Sequence, residues 1–307
     1  MRAAIIRKFG PPSVIATSDV PRPEPATGEV LVRVLAAGIG PWDALIREGK
    51  AVVSPPLPVI LGSDFAGVVE SLGPNVSGFS PGEEVYGATN NQFIGAYAEY
   101  AVASAKMIAR KPQTLDFVAA ASAPVVAVTA LQILFEYAHA KAGQHVLIHG
   151  GAGNVGAYAI QMARNAGLHV IATASSGDVD FVRGLGAGQV IDYQSVRFEH
   201  AVQPVDIVVD TIGGEVRERS LRVLVPDGIL VSVASPIPPD IAQRFGSRAI
   251  FFLVQVTTNR LDAISALFDS GELTPHVGTV LPLDQARTAH EMLAGLPHAR
   301  GKIVLQL

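Results

Sequence analysis

The sequence predicts an α/β protein of two domains, a doubly wound parallel sheet joined to a small β-barrel or sandwich. Three observations carry this. The chain has 307 residues, more than one core normally holds. Its pattern changes near residue 115, from short β runs cut by Gly and Pro to apolar strands alternating with amphipathic helices. One of those strands runs straight into a glycine-rich loop and a helix.

The elements follow in order. Residues 29–37 (EVLVRVLAA) alternate and then turn wholly apolar, as a strand entering a core would. Residues 63–72 form a second such run, closed by Gly73-Pro74-Asn75. Pro81-Gly82 turns the chain into Val85-Tyr86-Gly87, and 95–102 (GAYAEYAV) alternate again. Residues 114–138 read as helix broken at Pro124. Strands then fall at 145–149, 169–174, 189–192, 206–211, 229–234 and 249–256, with helices at 154–166, 178–185, 216–224 and 240–245 between them. Continuous apolar strands separated by helices are parallel and buried on both faces. Helices at 260–270 and 283–293 and a strand at 302–307 close the chain.

Composition removes several classes of function. Apolar residues make up 49% and charged residues 16%, so the chain is not disordered. A net charge of −4 gives no footprint for nucleic acid or an anionic membrane. The absence of cysteine excludes disulfides, thiolate metal sites and thiol nucleophiles. The most apolar stretch, 117–135, is interrupted by Ser122, Pro124, Thr129 and Gln132 and reads as buried core rather than a membrane span. The first eight residues are too short and too charged for a signal peptide, so the expected location is cytoplasmic.

The strongest motif is Gly151-Ala152-Gly153-Asn154-Val155-Gly156, a G-x-G-x-x-G between an apolar strand and a helix. A dinucleotide needs this arrangement. Gly151 is expected to make the tight turn, Gly153 to admit the pyrophosphate, and Gly156 to let helix pack on strand. The N–H groups and positive dipole end at the helix start then hold the phosphates. The second strand ends in Ser175 and Ser176, with no carboxylate for a ribose 2′-hydroxyl. Small hydroxyl side chains leave room for a 2′-phosphate and favour NADP over NAD, although no Arg or Lys sits beside them.

With these motifs the chain resembles the medium-chain dehydrogenase/reductase superfamily, in its zinc-independent quinone oxidoreductase branch. The resemblance rests on 61–69 (LGSDFAGVV) with Gly73 and Val76, 95–100 (GAYAEY), Val128-Thr129-Ala130, the glycine loop, and 300–305 (RGKIVL). It implies a GroES-like domain from residues 1–122 and 262–307, and a Rossmann domain from 123–261. It implies hydride transfer from NADPH in the cleft between them. By the same resemblance Thr129 would face the nicotinamide and Tyr193 would lie near the adenosine phosphate. Val233, Ala234 and Ser235, with Phe251, Phe252 and Leu253, would pass the nicotinamide. It further implies a homodimer paired through Rossmann edge strands, with the apolar run from Ala249 to Val256 as the edge. An apolar edge of that length would otherwise be an aggregation hazard.

Zinc alcohol dehydrogenases of this superfamily carry Cys where this chain has Gly40 or Pro41, Gly-His-Glu where it has Gly62-Ser63-Asp64, and a third ligand near Val125. None of those ligands is present, so no zinc is expected. Many quinone reductases have Asn where this chain has Gly40 and some have Tyr where it has Leu45, which leaves the expected pocket more apolar. Gly40, Trp42, Asp43, Leu45 and Thr129 are the cleft candidates, with Trp42 either a flat wall for a planar acceptor or ordinary packing. No catalytic residue is assigned.

Other groups read as structural. His145 and His149 lack a third ligand, and His290-Glu291 lacks the second histidine of a zincin. Asp64 and Glu99 belong to barrel motifs, and Arg217, Arg219 and Arg222 to a solvated helix face. Three functions stay open. The first is NADPH-dependent reduction of a quinone or similar electron-poor acceptor. The second is reduction of an enone, alkenal or enoyl-thioester double bond, with Asn90, Asn91 or Gln92 as polar anchors. The third is non-catalytic NADPH binding.

Overall fold

A computed structural model of the chain describes residues 1–52, 55–238 and 245–307. They divide into two compact units, Met1–Val125 with Val256–Leu307, and Val126–Gln255. The sequence draws the seams at 122/123 and 261/262, whereas the units meet at 125/126 and 255/256. The helix Thr258–Asp269 therefore lies whole within the first unit. Hydrogen bonds anchor it there: the Thr258 N–H donates to Lys106 O at 2.9 Å, its hydroxyl to Ile108 O at 2.8 Å, and the Tyr86 hydroxyl to Leu261 O at 2.7 Å.

Along the first part of the chain run β1 (Arg2–Ile6), β2 (Ala16–Asp19), β3 (Glu29–Ile39), α1 (Pro41–Arg47), β4 (Val59–Ile60), β5 (Asp64–Leu72), β6 (Glu84–Ala88), β7 (Tyr100–Ser104), β8 (Ile108–Arg110) and α2 (Phe117–Ala121). Next come α3 (Pro124–Leu131), β9 (His145–Ile148), α4 (Asn154–Asn165), β10 (His169–Ala174), α5 (Val179–Gly184), β11 (Gln189–Asp192), β12 (Val205–Asp210), α6 (Gly214–Ser220), β13 (Leu224–Ser232) and β14 (Arg248–Phe251). The chain closes with β15 (Val277–Pro282), the helix Ala286–Leu293 and β16 (Lys302–Gln306).

In the first unit a seven-stranded sheet runs β15-β16-β3-β5-β6-β8, with β7 on β3, beside a three-stranded sheet β2-β1-β4. The long β3 organises it, pairing antiparallel with β5, β7 and β16. Val30, Val32, Val34, Phe65, Val69, Val85 and Ile303 fill its core. β7 shows the alternating burial of a one-sided strand. The strand expected at 95–102 begins only at Tyr100. Before it, Gly95, Ala96 and Tyr97 donate to Ile60, Gly62 and Leu61 carbonyls, a loop pinned across the strand ends rather than a ladder.

Among the described residues of the second unit all pairings are parallel and the order is β11-β10-β9-β12-β13-β14. Counted within the unit this is 3-2-1-4-5-6, with the reversal between β9 and β12. That reversal opens a crevice at the carboxyl ends of the strands, where doubly wound sheets take their ligands. β9, β10 and β12 are almost wholly buried, as their apolar sequences require. Pro124 does separate α2 from α3, and α3 passes into a π-helical turn, Gln132–Tyr137.

Two expectations change here. The apolar run from Ala249 to Val256 is a strand only as far as Phe251, because Phe252 turns inward and stacks on Tyr137 with centroids 4.2 Å apart. Of the helix expected at 240–245, residues 240–244 lie outside the described residues and Phe245 is in a turn. Among the described residues no helix is long and apolar enough to cross a membrane.

Candidate functional site

The glycine loop leaves β9 at the reversal point of the sheet. The backbone turn falls on Gly150 (φ +69°) rather than on Gly151. Only glycine adopts that conformation without strain, and a Cβ there would stand 2.5 Å from the Thr211 hydroxyl. At Gly151 an added Cβ would meet Ala172, Ile160 and Val182 at 3.1–3.2 Å, so a larger residue would crowd them. A Cβ on Gly156 would lie 2.2 Å from Gly150 O, so α4 can approach the loop only with glycine there. Gly153 is the N-cap of α4, and no side chain caps the helix. The first N–H groups of a helix, here at Asn154 and Val155, have no intrahelical acceptor. They and the dipole of this twelve-residue helix suit a pyrophosphate.

The other expected coenzyme residues gather along the same carboxyl edge. Ser175 and Ser176 follow β10, Tyr193 follows β11, Val233, Ala234 and Ser235 follow β13, and Phe251, Phe252 and Leu253 end β14. Tyr193 and Leu253 are each 60% exposed, whereas Phe252 is 7% exposed and belongs to the packing with Tyr137. Thr129 is buried on α3, away from the strand ends in sequence.

The serine pair differs from expectation. Ser175 donates to Asp178 at 2.5 Å and Ser176 to Asp192 at 2.6 Å. The Ser176 and Ser195 hydroxyls and the Gln194 N–H hold the Asp192 carboxyl below the usual carboxylate range. Both hydroxyls are thus turned to carboxylates.

Sequence reasoning overlooked the loop after β12. Asp210, fully buried, accepts from the Ile212 N–H at 3.0 Å, the Gly213 N–H at 2.7 Å and the Ser232 hydroxyl at 2.7 Å. It ties the ends of β12 and β13 together. Arg217 is 7% exposed, not solvated, and donates to Ser235 O at 3.0 Å and Pro236 O at 3.1 Å. An Asp closing an apolar strand three residues before Gly213-Gly214 was the available signal.

The remaining candidates lie in the first unit on α1. Trp42 fills the space a side chain on Gly40 would need, with ring atoms 2.3 Å from an added Cβ. Its indole N–H donates to Ser63 at 3.0 Å, and the Lys302 ammonium stands 4.6 Å from its ring centroid. Asp43 is 0% exposed and lines no surface. One of its oxygens accepts from the Gly40 N–H and the Tyr97 hydroxyl, each at 2.8 Å, and the other has no partner. Burial pushes its pKa up to about 7, against the lowering by those two donors. Leu45 is 47% exposed on the same helix. Asn90 bonds within its own loop, to Ile94 O, and Glu99 accepts from the Arg2 N–H.

The positions that hold zinc in related dehydrogenases do not fit a metal. Gly40 has no donor atom, the Ser63 hydroxyl receives the Trp42 N–H, and Asp64 is bound by the Lys302 ammonium at 2.9 Å and the Val125 N–H at 3.2 Å. A buried ammonium already neutralises the one carboxylate there.

Two family models match the chain: "Alcohol dehydrogenase GroES-like domain" over residues 26–113 and "Zinc-binding dehydrogenase" over 185–305. A quinone oxidoreductase of Sus scrofa is 34% identical over 324 aligned positions, covering 100% of this chain and 98% of that one. The chain belongs to the medium-chain dehydrogenase/reductase superfamily, in its quinone oxidoreductase branch. A "NADPH-dependent alkenal/one oxidoreductase" of Arabidopsis thaliana is 32% identical over 99% of this chain and 79% of its own length. Among solved structures, the quinone oxidoreductase of Coxiella burnetii superposes with a TM-score of 0.93 at 37% identity, covering 100% and 99% of the two chains. The Escherichia coli quinone oxidoreductase, solved with NADPH, superposes with 0.89 at 26% identity over 99% and 100%. This medium-chain reductase thus combines a GroES-like unit with a Rossmann unit, and it is an oxidoreductase.

Proposed function

We propose that this chain is a zinc-independent, NADPH-dependent reductase of quinones and similar electron-poor acceptors. The observation carrying the coenzyme reading is the uncapped glycine-loop helix at the reversal point of a 3-2-1-4-5-6 parallel sheet. Gly151, Ala152, Gly153, Asn154, Val155 and Gly156 would hold the pyrophosphate, and Ser175, Ser176 and Tyr193 the adenosine end. Val233, Ala234, Ser235, Phe251, Leu253 and Thr129 would serve the nicotinamide. NADPH in the related Escherichia coli structure supports the phosphorylated coenzyme. Its binding would require the serine hydroxyls to exchange their carboxylates for phosphate.

The bound coenzyme supplies a hydride. The protein's share is orientation: the loop backbone fixes the phosphates, and the Asp210 and Arg217 hydrogen bonds keep the turns after β12 and β13 in place. A quinone is a strong acceptor and needs little acid catalysis, which suits a chain whose zinc positions carry an ion pair instead. The relative named for alkenals and enones supports a second reading, reduction of an activated carbon–carbon double bond. We also propose a homodimer through the edge strand β14, shortened to Arg248–Phe251.

The test follows nicotinamide absorbance with NADPH or NADH and either a quinone or an α,β-unsaturated ketone. Oxidation of NADPH with quinone alone is the expected result. Oxidation with the enone alone would transfer the assignment to the double-bond reductase, and a faster NADH reaction would overturn the coenzyme choice.

A further inference from the structure

Directly before the glycine loop stands His149, 1% exposed, with both ring nitrogens engaged. Nε2 lies 2.8 Å from the Ser220 hydroxyl and Nδ1 lies 3.2 Å from the Thr173 hydroxyl. One assignment of the hydrogens gives every group in this chain of hydrogen bonds a partner. Ser220 has one hydroxyl hydrogen and donates it to Val216 O at 2.7 Å. In that assignment Ser220 accepts from His149, so Nε2 carries the proton and Nδ1 is a bare acceptor. The Thr173 hydroxyl then donates to Nδ1. Its lone pairs are left facing the Gly150 N–H, which donates to it at 3.3 Å. The backbone of Thr173 grips the loop as well, accepting from the Gly151 N–H at 2.9 Å.

We propose that His149 is a positioning residue for the phosphate loop, held as the Nε2–H tautomer so that Thr173 receives the Gly150 N–H and fixes where the loop begins. The chain of donors runs one way, from Gly150 through Thr173, His149 and Ser220 to the Val216 carbonyl in α6. It couples the start of the loop to the helix that follows β12. Burial pushes the His149 ring down to about 4, so it stays neutral and the direction is kept near neutral pH. The Phe198 ring packs edge-on against it at 4.7 Å and holds its plane. Gly150 takes a positive φ of +69°, and a side chain there would meet Thr211, so the loop begins on a glycine.

This inference rests on the dinucleotide reading of the loop only for its consequence in binding. The test begins with 15N-histidine NMR of the intact chain, where a protonated Nε2 and a bare Nδ1 are expected for His149. Coenzyme dissociation constants, for NADPH and NADH in parallel, then come from nicotinamide fluorescence. His149→Phe and Thr173→Val should each weaken binding about tenfold, as expected for one buried acceptor lost. The double variant should add little, because both break one path. His149→Gln, which restores a donor and an acceptor side by side, should recover most of the affinity. Hydrogen exchange at the Gly150 amide should accelerate in both single variants. An Nδ1–H tautomer, or His149→Phe binding coenzyme like the parent with Gly150 exchange unchanged, would overturn the proposal. Should His149→Phe fail to fold, Thr173→Val and His149→Gln decide it by the same readings. Should the parent bind neither coenzyme, the dinucleotide reading falls, and the tautomer and Gly150 exchange still decide the role of His149.

Discussion

At Lys302 a buried ammonium stands 2.9 Å from a buried carboxylate, Asp64, with 1% and 0% of the side chains exposed. Burial pushes the Asp64 carboxyl above the usual range, and Lys302 opposes that push. Such a pair contributes little net stability, but breaking it leaves an uncompensated charge. Lys302→Met should therefore destabilise the protein by about 3–5 kcal/mol in urea unfolding. Lys302→Met with Asp64→Asn should recover most of that loss, since the Val125 N–H still finds an acceptor. A double variant as unstable as the single one would mean that Lys302 acts through its packing on Trp42 instead.

At the level of elements, the adenosine corner is set by where β10 and β11 end. Asp192 closes β11 and places its carboxylate on Ser176, which follows β10. Asp192→Asn removes a negative charge beside the expected 2′-phosphate. It should tighten NADPH binding about fivefold at low salt and leave NADH nearly unchanged, an advantage that shrinks as salt is added. Parallel fluorescence titrations at two salt concentrations measure this.

This corner also shows what could be read beforehand. The strand ends and the serines were legible, because apolar runs and a G-x-G-x-x-G have local causes. The partners of the serines were not: Asp192 lies sixteen residues from Ser176 and meets it only through strand pairing. Likewise α1 carries too few residues to show a helical period, and its capping by Asp43 becomes visible only in the fold. The contact seam at 255/256 lies before the expected 261/262 for a similar reason, since the bonds that hold the helix Thr258–Asp269 reach back to Tyr86, Lys106 and Ile108.

Over the whole molecule, buried groups with opposed shifts shape the response to pH, His149, His290 and Asp43 among them. Burial lowers His149 to about 4 and His290 to about 3, from an ordinary 6.5. The unfolded chain protonates both below about 6.5 and the folded chain does not, so they make stability fall as pH drops. Asp43, raised to about 7, acts oppositely: the folded chain keeps a proton that the unfolded chain releases above about 4. Between about pH 4.5 and 6.5 two groups oppose one. Together these three groups should contribute a slope of about 1.4 kcal/mol per pH unit, stability rising toward pH 6.5. In Asp43→Asn the acid slope should steepen by about 1.4 kcal/mol per pH unit, one group's share. Urea midpoints across the range check both, and an unchanged slope in the variant would show that Asp43 ionises normally.

The first unit is discontinuous, and β3 pairs with β16. During synthesis β3 therefore emerges long before the strand that completes its sheet, while residues 126–255 arrive as one uninterrupted unit. Domains fold as they are delivered. The Rossmann unit can form on the ribosome, whereas the buried ion pair of Asp64 must wait for Lys302. A ribosome-bound chain that ends before Lys302 offers chaperones an incomplete sheet with an open strand edge.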